Sequence, residues 1–241
     1  GGRDGVYTHR TDGIVIRDSR MTDLRYGVHE MYTSRALVRN NTMGDANAGV
    51  IVMTRPRRNV LRGNDVRGSE SGLVVAGSAS FVTDNVLTDN GIGLAMSAPR
   101  SYVGRNVVVG NGVGIRAGLL LPSLTVTQND VVGNDRAVSA EMGPIRVWTE
   151  DGRGNYWGRL PGRDADGDGT LDAAYRPTGA VDGAVLSAPG GVALRESPAV
   201  TLLRSVQDRL PGLRSSGVVD AAPLTEPVRP NALARVNESR T

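Results

Sequence analysis

The chain holds two histidines, six methionines and no cysteine, so any soft metal site must be assembled from imidazole and thioether groups. His9, His29, Met31 and Met53 occupy related places in three segments, Gly5-Val6-Tyr7-Thr8-His9, Gly27-Val28-His29-Glu30-Met31 and Gly49-Val50-Ile51-Val52-Met53, whose opening glycines are 22 residues apart. Aligned on those glycines, His9 stacks over Met31 and Met53, and Tyr7 over His29 and Ile51. If Val6, Val28 and Val50 point into a core, strand alternation turns both columns outward onto one face. Imidazole nitrogen and thioether sulfur suit Cu(I) or Cu(II), and carboxylate-poor surroundings disfavour Mg²⁺ or Ca²⁺ there. The competing reading makes both histidines ordinary surface groups with the two methionines curled inward. Glu30 is the misfit, since alternation directs it inward.

A second chemical signal is Asp164-Ala165-Asp166-Gly167-Asp168-Gly169-Thr170-Leu171-Asp172. Asp164, Asp166, Asp168 and Asp172 with Gly167 at the sharp turn match the first part of an EF-hand-type calcium loop, Thr170 offering its carbonyl. The bidentate glutamate is missing, because Tyr175 stands in its place. A structural Ca²⁺ and a solvated acidic turn are the two readings.

These groups are positioned by a repeat. The column Ser19, Asn41, Asn64, Asn85, Asn106, Asn129 advances by 22, 23, 21, 21 and 23 residues. Eight residues after each member stand Gly27, Gly49, Gly72, Gly93, Gly114 and Ala137. Two after it come Met21, Met43, Val66, Leu87, Val108 and Val131, and three before it Ile16, Val38, Leu61, Val82, Val103 and Val126. A second polar column, Asn90, Asn111 and Asn134, follows five residues later. Short apolar segments with Asn or Gly at corners and this period predict an all-β, right-handed parallel β-helix of about seven coils of 21–23 residues. One column, Val15, Leu37, Val60, Phe81 and Tyr102, is apolar beside an inward column, so it lies under a bend or forms an exposed stripe.

Periodicity stops at Gly143-Pro144, which divides a β-helix over 1–144 from a C-terminal part over 145–241. There Trp148 and Gly154-Asn155-Tyr156-Trp157 are expected to plug the open core, as repeat proteins require. Residues 179–195 read as irregular or short strands. A single short helix is predicted from Ser197-Pro198 to Pro211-Gly212, with Ser as N-cap and Leu202, Leu203, Val206 and Leu210 as its apolar face. That face packs on its own domain or docks a partner. The tail after Pro223 is expected to be loosely ordered.

All 28 basic residues are arginine and the formal net charge is +3. No basic cluster with interleaved aromatics points to nucleic acid. Arg17, Arg39 and Arg62, three stacked like charges that are unfavourable without counterions, read as a solvated edge or a docking surface for an acidic partner or membrane headgroups. No apolar run approaches the ~18 residues of a membrane span. The first residue is Gly1, apparently inside a repeat, and is read as the start of a partial chain lacking N-terminal coils.

The runs Gly2-Arg3-Asp4-Gly5-Val6-Tyr7 and Leu24-Arg25-Tyr26-Gly27-Val28-His29-Glu30-Met31-Tyr32 resemble NosD-type proteins, extracytoplasmic β-helix components of nitrous oxide reductase maturation. The cap Gly154-Asn155-Tyr156-Trp157, the acidic loop followed by Tyr175-Arg176-Pro177, and Ser197-Pro198, Val218-Val219-Asp220 and Pro223-Leu224 are similar to that family's C-terminal part. The resemblance implies a non-enzymatic, periplasmic role. Copper would be received or presented together with an ABC-type ATPase and membrane subunit, a copper-delivering lipoprotein and the reductase. Where the family tends to read His-Tyr-Met-Tyr-Ser-His, this chain has His29-Glu30-Met31-Tyr32-Thr33-Ser34, so an aromatic and a second candidate ligand are replaced. The alternative is a carbohydrate-binding or carbohydrate-active β-helix, a lyase, hydrolase or epimerase. That chemistry needs paired outward carboxylates, and the column Tyr7, His29, Ile51, Val74, Ala95, Arg116, Ser139 contains none.

Overall fold

A computed structural model describes residues 2–119, 123–142, 146–160, 162–177, 197–209 and 217–240. Each coil contributes three strands. The first holds β1 (Asp4–His9), β2 (Val15–Arg17) and β3 (Arg20–Thr22); the second β4 (Tyr26–Met31), β5 (Leu37–Arg39) and β6 (Thr42–Gly44); the third β7 (Ala48–Met53), β8 (Val60–Arg62) and β9 (Asp65–Arg67). The fourth holds β10 (Ser71–Ala76), β11 (Phe81–Thr83) and β12 (Val86–Thr88); the fifth β13 (Ile92–Ser97), β14 (Tyr102–Gly104) and β15 (Val107–Val109); the sixth β16 (Val113–Leu119), β17 (Thr125–Thr127) and β18 (Asp130–Val132), before β19 (Arg136–Met142). All pairings between coils are parallel and form one seven-stranded and two six-stranded walls. The right-handed β-helix therefore has six complete coils and the first strand of a seventh, slightly fewer than the period suggested.

The columns fall where their chemistry requires. Val38, Leu61, Val66, Val82, Leu87, Val103 and Val108 show no solvent exposure, each burial contributing about 1.5–3 kcal/mol. Met21 and Met43 belong to the same core. The corners need backbone that turns sharply, and the residue before the Asn column is left-handed in every complete coil: Asp18, Asn40, Gly63, Asp84, Arg105 and Gln128 have φ between 53° and 66°. Asp, Asn and Gly tolerate that region best. A glycine is also required where coils approach most closely, since a Cβ on Gly27 would lie 2.5 Å from the Gly49 carbonyl oxygen and 2.7 Å from Met43 Sδ.

The Asn column is a continuous hydrogen-bonded ladder. Asn41 Nδ2 donates to Asn64 Oδ1, Asn64 to Asn85, Asn85 to Asn106 and Asn106 to Asn129 at 2.8–3.0 Å. Each Oδ1 also accepts the preceding rung's backbone N–H, and each Nδ2 also donates to a backbone carbonyl, as at Asn64 to Val38 and Asn85 to Leu61. Both donors and both acceptor positions of each interior amide are used. The ladder gains one more rung in the cap: Asn129 Nδ2 donates to Asn155 Oδ1 at 2.8 Å, and Asn155 N–H donates to Asp220 Oδ2 at 2.7 Å. Asp220, fully buried, also accepts Trp157 Nε1–H and Thr149 Oγ1–H. Burial pushes its pKa up against those stabilising bonds. Asn90, Asn111 and Asn134 form a second ladder, which accepts the Ser69 backbone N–H.

Trp148 and Trp157 close the core as expected, both buried in its cluster. The short strands β20 (Arg146–Val147) and β21 (Val218–Val219) pair beside them. Helix α1 (Pro198–Arg209) starts where the sequence placed it, with Ser197 Oγ accepting the Val200 N–H. Its Leu202, Leu203 and Val206 are exposed rather than packed back; Leu210, Pro211-Gly212 and residues 179–195 lie outside the described residues.

The tail departs most from expectation, being docked instead of loose and carrying a second helix, α2 (Pro230–Glu238). Its Ala232, Leu233 and Val236 pack on Val107 and Val109, whose side chains on that wall would otherwise face water. Asp130, fully buried, accepts the N–H groups of Val228 and Arg229, and the Arg229 guanidinium donates to the Asp84 carbonyl. The ambiguous apolar column proves to be a stripe on the outside, Val15 and Phe81 being about half exposed.

Glu30 is the exception inside the coil. Its residue is fully buried, Oε2 accepts Asn59 Nδ2–H at 2.8 Å, and Oε1 has no partner among the described residues. The neutral amide relieves less of the burial cost than a charge partner would, and burial raises the carboxyl from 4.5 to about 7. The folded state then binds this proton more tightly than the unfolded chain. Stability is therefore lost as pH rises from about 4.5 and levels off above about 7. Glu30→Gln is expected to leave stability at pH 4 nearly unchanged and raise it by about 3 kcal/mol at pH 8; denaturant melts of both proteins across that range check this, and equal pH profiles would refute it.

Candidate metal site on the first wall

The register of β1, β4 and β7 stacks His9 on Met31 on Met53 and Tyr7 on His29 on Ile51, with Thr8, Glu30 and Val52 alternating inward. His9 is exposed and Met31 and Met53 are half-buried on the outer face, which brings three of the four candidate ligands onto successive rungs, ~4.8 Å apart along the ladder. His29 lies two residues back along the strand on the same face, but it is sunk to 7% exposure beneath aromatic rings.

What holds His29 is a group that the spacing did not reveal. Asp4 receives a two-pronged contact from Arg25, Nε to Oδ1 at 2.9 Å and Nη2 to Oδ2 at 2.7 Å. The same Oδ2 lies 2.9 Å from His29 Nδ1. The Arg25 hydrogen bond, reinforced by His29, holds the Asp4 carboxyl below the usual carboxylate range despite partial desolvation. An ionised carboxylate only accepts, so Nδ1 carries a proton, and in the neutral imidazole that leaves Nε2 with its lone pair free. Nε2 is shielded from water and has no hydrogen-bond partner among the described residues. A carboxylate behind one ring nitrogen with the other left bare is the arrangement that orients a histidine ligand toward a metal.

Aromatic rings complete the setting. Tyr7 and Tyr26 lie 5.0 and 4.9 Å from the His29 ring, and Arg25 sits over Tyr26 at 4.7 Å. The Tyr7 hydroxyl donates to Met31 Sδ at 3.5 Å, so Tyr7 bridges the imidazole and the thioether. His9 stacks against Tyr7 and meets Tyr32 edge-on. The sequence could have exposed Asp4, because it heads the same coil as Tyr7. It stands three residues before Tyr7, however, and simple alternation assigns it to the opposite face.

The other predicted sites are placed separately. Asp164, Asp166 and Asp168 bring one carboxylate oxygen each to within 4.8 Å of the others. Asp164 accepts the N–H groups of Asp168 and Gly169, while Asp172 accepts that of Ala165, closing the loop. The Thr170 hydroxyl donates to Asp168, which lowers that carboxyl's pKa. Arg17, Arg39 and Arg62 stack in register, and counterions that such a stack calls for are present: Arg17 pairs with Asp18 and Arg62 with Asp84.

A parallel β-helix by itself fixes no activity; what distinguishes this one is a first wall that carries imidazole, thioether and aromatic side chains in register. The family model described as "Periplasmic copper-binding protein (NosD)" matches residues 1–162, and the chain belongs to that family. It is 40% identical over 99 residues to a "Probable ABC transporter binding protein NosD" of Pseudomonas aeruginosa and 38% identical over 99 residues to the protein of that description in Stutzerimonas stutzeri. Each match covers 41% of this chain and 23% of the relative, so the chain spans about a quarter of the relatives' length. The family is periplasmic, and no helix among the described residues is long and apolar enough to cross a membrane.

Asp4→Asn removes the charge that orders Arg25 and replaces an acceptor-only carboxylate with an amide that can either accept from or donate to the imidazole, so the tautomer is no longer selected. Nitrogen NMR of the wild-type imidazole is expected to show His29 protonated at Nδ1 and bare at Nε2, and the variant to show a mixture; a wild-type Nε2–H tautomer would contradict the geometry.

Proposed function

We propose that this chain is an extracytoplasmic accessory protein for copper-site maturation of nitrous oxide reductase, without catalysis of its own. It receives or presents copper beside an ABC-type ATPase and membrane subunits, a copper-delivering lipoprotein and the reductase. The observation that carries this reading is the bare, oriented Nε2 of His29 on the wall that also bears Met31, Met53 and His9. The family description and the relatives' names agree with a copper-binding, ABC-associated role.

Copper is cargo in this reading. Asp4 and Arg25 hold the imidazole so that binding costs little ordering of the ring. Tyr7, 53% exposed, would have to swing off the His29 ring and release Met31 Sδ for His29, Met31 and Met53 to hold the ion, with His9 at the edge as a further ligand. Soft thioethers favour the reduced ion. Competition of the protein against a chromophoric Cu(I) chelator is expected to show affinity reduced about tenfold or more in His29→Ala and Met31→Ala, and also in Asp4→Asn. Unchanged affinity in the first two variants removes the site. Release of unsaturated or reducing sugar from a polysaccharide panel would favour the carbohydrate-active alternative, although Asp4, the outward acid here, is already committed to Arg25 and His29.

The convergence of Asp164, Asp166 and Asp168 supports a structural Ca²⁺ in the cap. Ca²⁺ at millimolar concentration is expected to raise the thermal midpoint of the wild type and not that of Asp164→Asn/Asp166→Asn. A midpoint indifferent to Ca²⁺ and chelator assigns the loop to a solvated turn.

A further inference from the structure

The wall built from β2, β5, β8, β11, β14 and β17 has an uneven charge. Taken with the corners on either side of it, among the described residues of 10–18, 32–40, 54–63, 77–84, 98–105 and 123–128, it carries ten arginines against three aspartates. The whole chain has a formal charge of only +3, so the remainder of the molecule is net acidic and the positive charge is concentrated on one side. Eight of the ten arginines belong to the first three coils.

The arrangement on that wall is regular. In each of the first three coils the strand reads apolar, core, Arg, which places Val15 beside Arg17, Leu37 beside Arg39 and Val60 beside Arg62 on the outer face. The register aligns like with like across the coils. Phe81 and Tyr102 continue the apolar row, their rings 6.3 Å apart. Next to the arginine row the corner of the third coil adds Arg55, Arg57 and Arg58, all exposed. All three aspartates are paired, Asp12 with Arg35, Asp18 with Arg17 and Asp84 with both Arg62 and Arg105; the arginines of these pairs are exposed, and such surface pairs are weak and yield readily to another anion.

We infer that this wall docks the protein flat against an anionic bilayer surface. Guanidinium groups spaced by the rungs meet lipid phosphates bidentately, and their side chains extend over the shallow apolar row, whose Phe81 and Tyr102 enter the headgroup region. A flat sheet with exposed apolar groups between cations fits a planar charged surface, and a cluster of this size is in the range that holds a protein to anionic lipid. This surface is on a different wall from His29, Met31 and Met53, so docking leaves that wall uncovered.

Co-sedimentation with vesicles tests the inference. The wild type is expected to bind vesicles of phosphatidylglycerol and phosphatidylcholine, to ignore pure phosphatidylcholine, and to be released by high salt. Arg17→Gln/Arg39→Gln/Arg62→Gln should weaken binding about tenfold or more, and Phe81→Ser should weaken it while preserving the salt dependence. Arg136→Gln/Arg159→Gln/Arg163→Gln, which removes the same charge elsewhere, should leave binding intact. Equal losses in the two triple variants reduce the effect to net charge and overturn the inference. Absence of binding to anionic vesicles also overturns it, as does patch-dependent binding of soluble polyglutamate without vesicle binding, which assigns the wall to an acidic protein. Circular dichroism of each variant confirms that the coil is intact.

Discussion

Every coil of this protein depends on satisfying the backbone at a corner that is buried. A parallel β-helix must turn its chain three times per rung, and each turn takes N–H and C=O groups out of the ladder while the neighbouring coil covers them. The Asn ladder solves this by letting one amide serve the corner of its own coil and of the next. An amide with all four hydrogen-bonding positions used costs little to bury, whereas one left without a neighbour costs about 1–3 kcal/mol. The ladder is therefore continuous from Asn41 to Asn155, and it needs an end. Asp220 provides that end by offering a carboxylate oxygen where the next rung's Oδ1 would stand. The C-terminal part is thus tied to the β-helix through its longest polar row as well as through Trp148 and Trp157.

Against this regular background, departures gather in the first three coils. Glu30 interrupts a column that continues as Val52, Val75, Met96 and Ala117; with Asn59 it forms a polar pair within the wall, adjoining the group of Asp4, Arg25 and His29 outside it. Glu30 sits between His29 and Met31 in sequence but on the opposite side of the sheet. Its inward carboxyl is a stability cost that a valine in the same column, such as Val52, does not carry. Local violations of an otherwise consistent pattern are where function is expected to be found. The outward group fits this expectation, since its geometry leaves one imidazole nitrogen oriented and unengaged.

The three walls are also differentiated. The first carries the imidazole, thioether and aromatic groups, the second the arginines with an apolar row, and the third is covered by α2 through Val107 and Val109. Cover from α2 explains why β15 can be valine on both faces, whereas strands of that wall farther from the helix alternate, as Arg20-Met21-Thr22 and Asp65-Val66-Arg67 do. On the second wall Val15 and Phe81 break that alternation, standing exposed where no element of the described chain covers them.

The sequence by itself determined the coil. Fixed offsets between Asn, Gly and apolar columns are a local, repeated property, and a parallel stack turns any such offset directly into a neighbour relation. From that followed the inward and outward faces and the stacking of His9, Met31 and Met53; the tryptophan plug and the start of α1 were legible separately, from the end of the repeat and from the Ser197-Pro198 cap. What only the tertiary structure decided were relations between residues that break the repeat. Asp4 reaches His29 across a glycine corner where alternation fails, Asp220 meets Asn155 from 65 residues away, and the tail finds Asp130 and Val107 because the third wall offers buried acceptors and apolar side chains. Stacking propagates along one dimension and can be counted in the sequence; a side chain's partner at a corner, or a segment's docking on a finished wall, depends on the three-dimensional surface that the coil creates first.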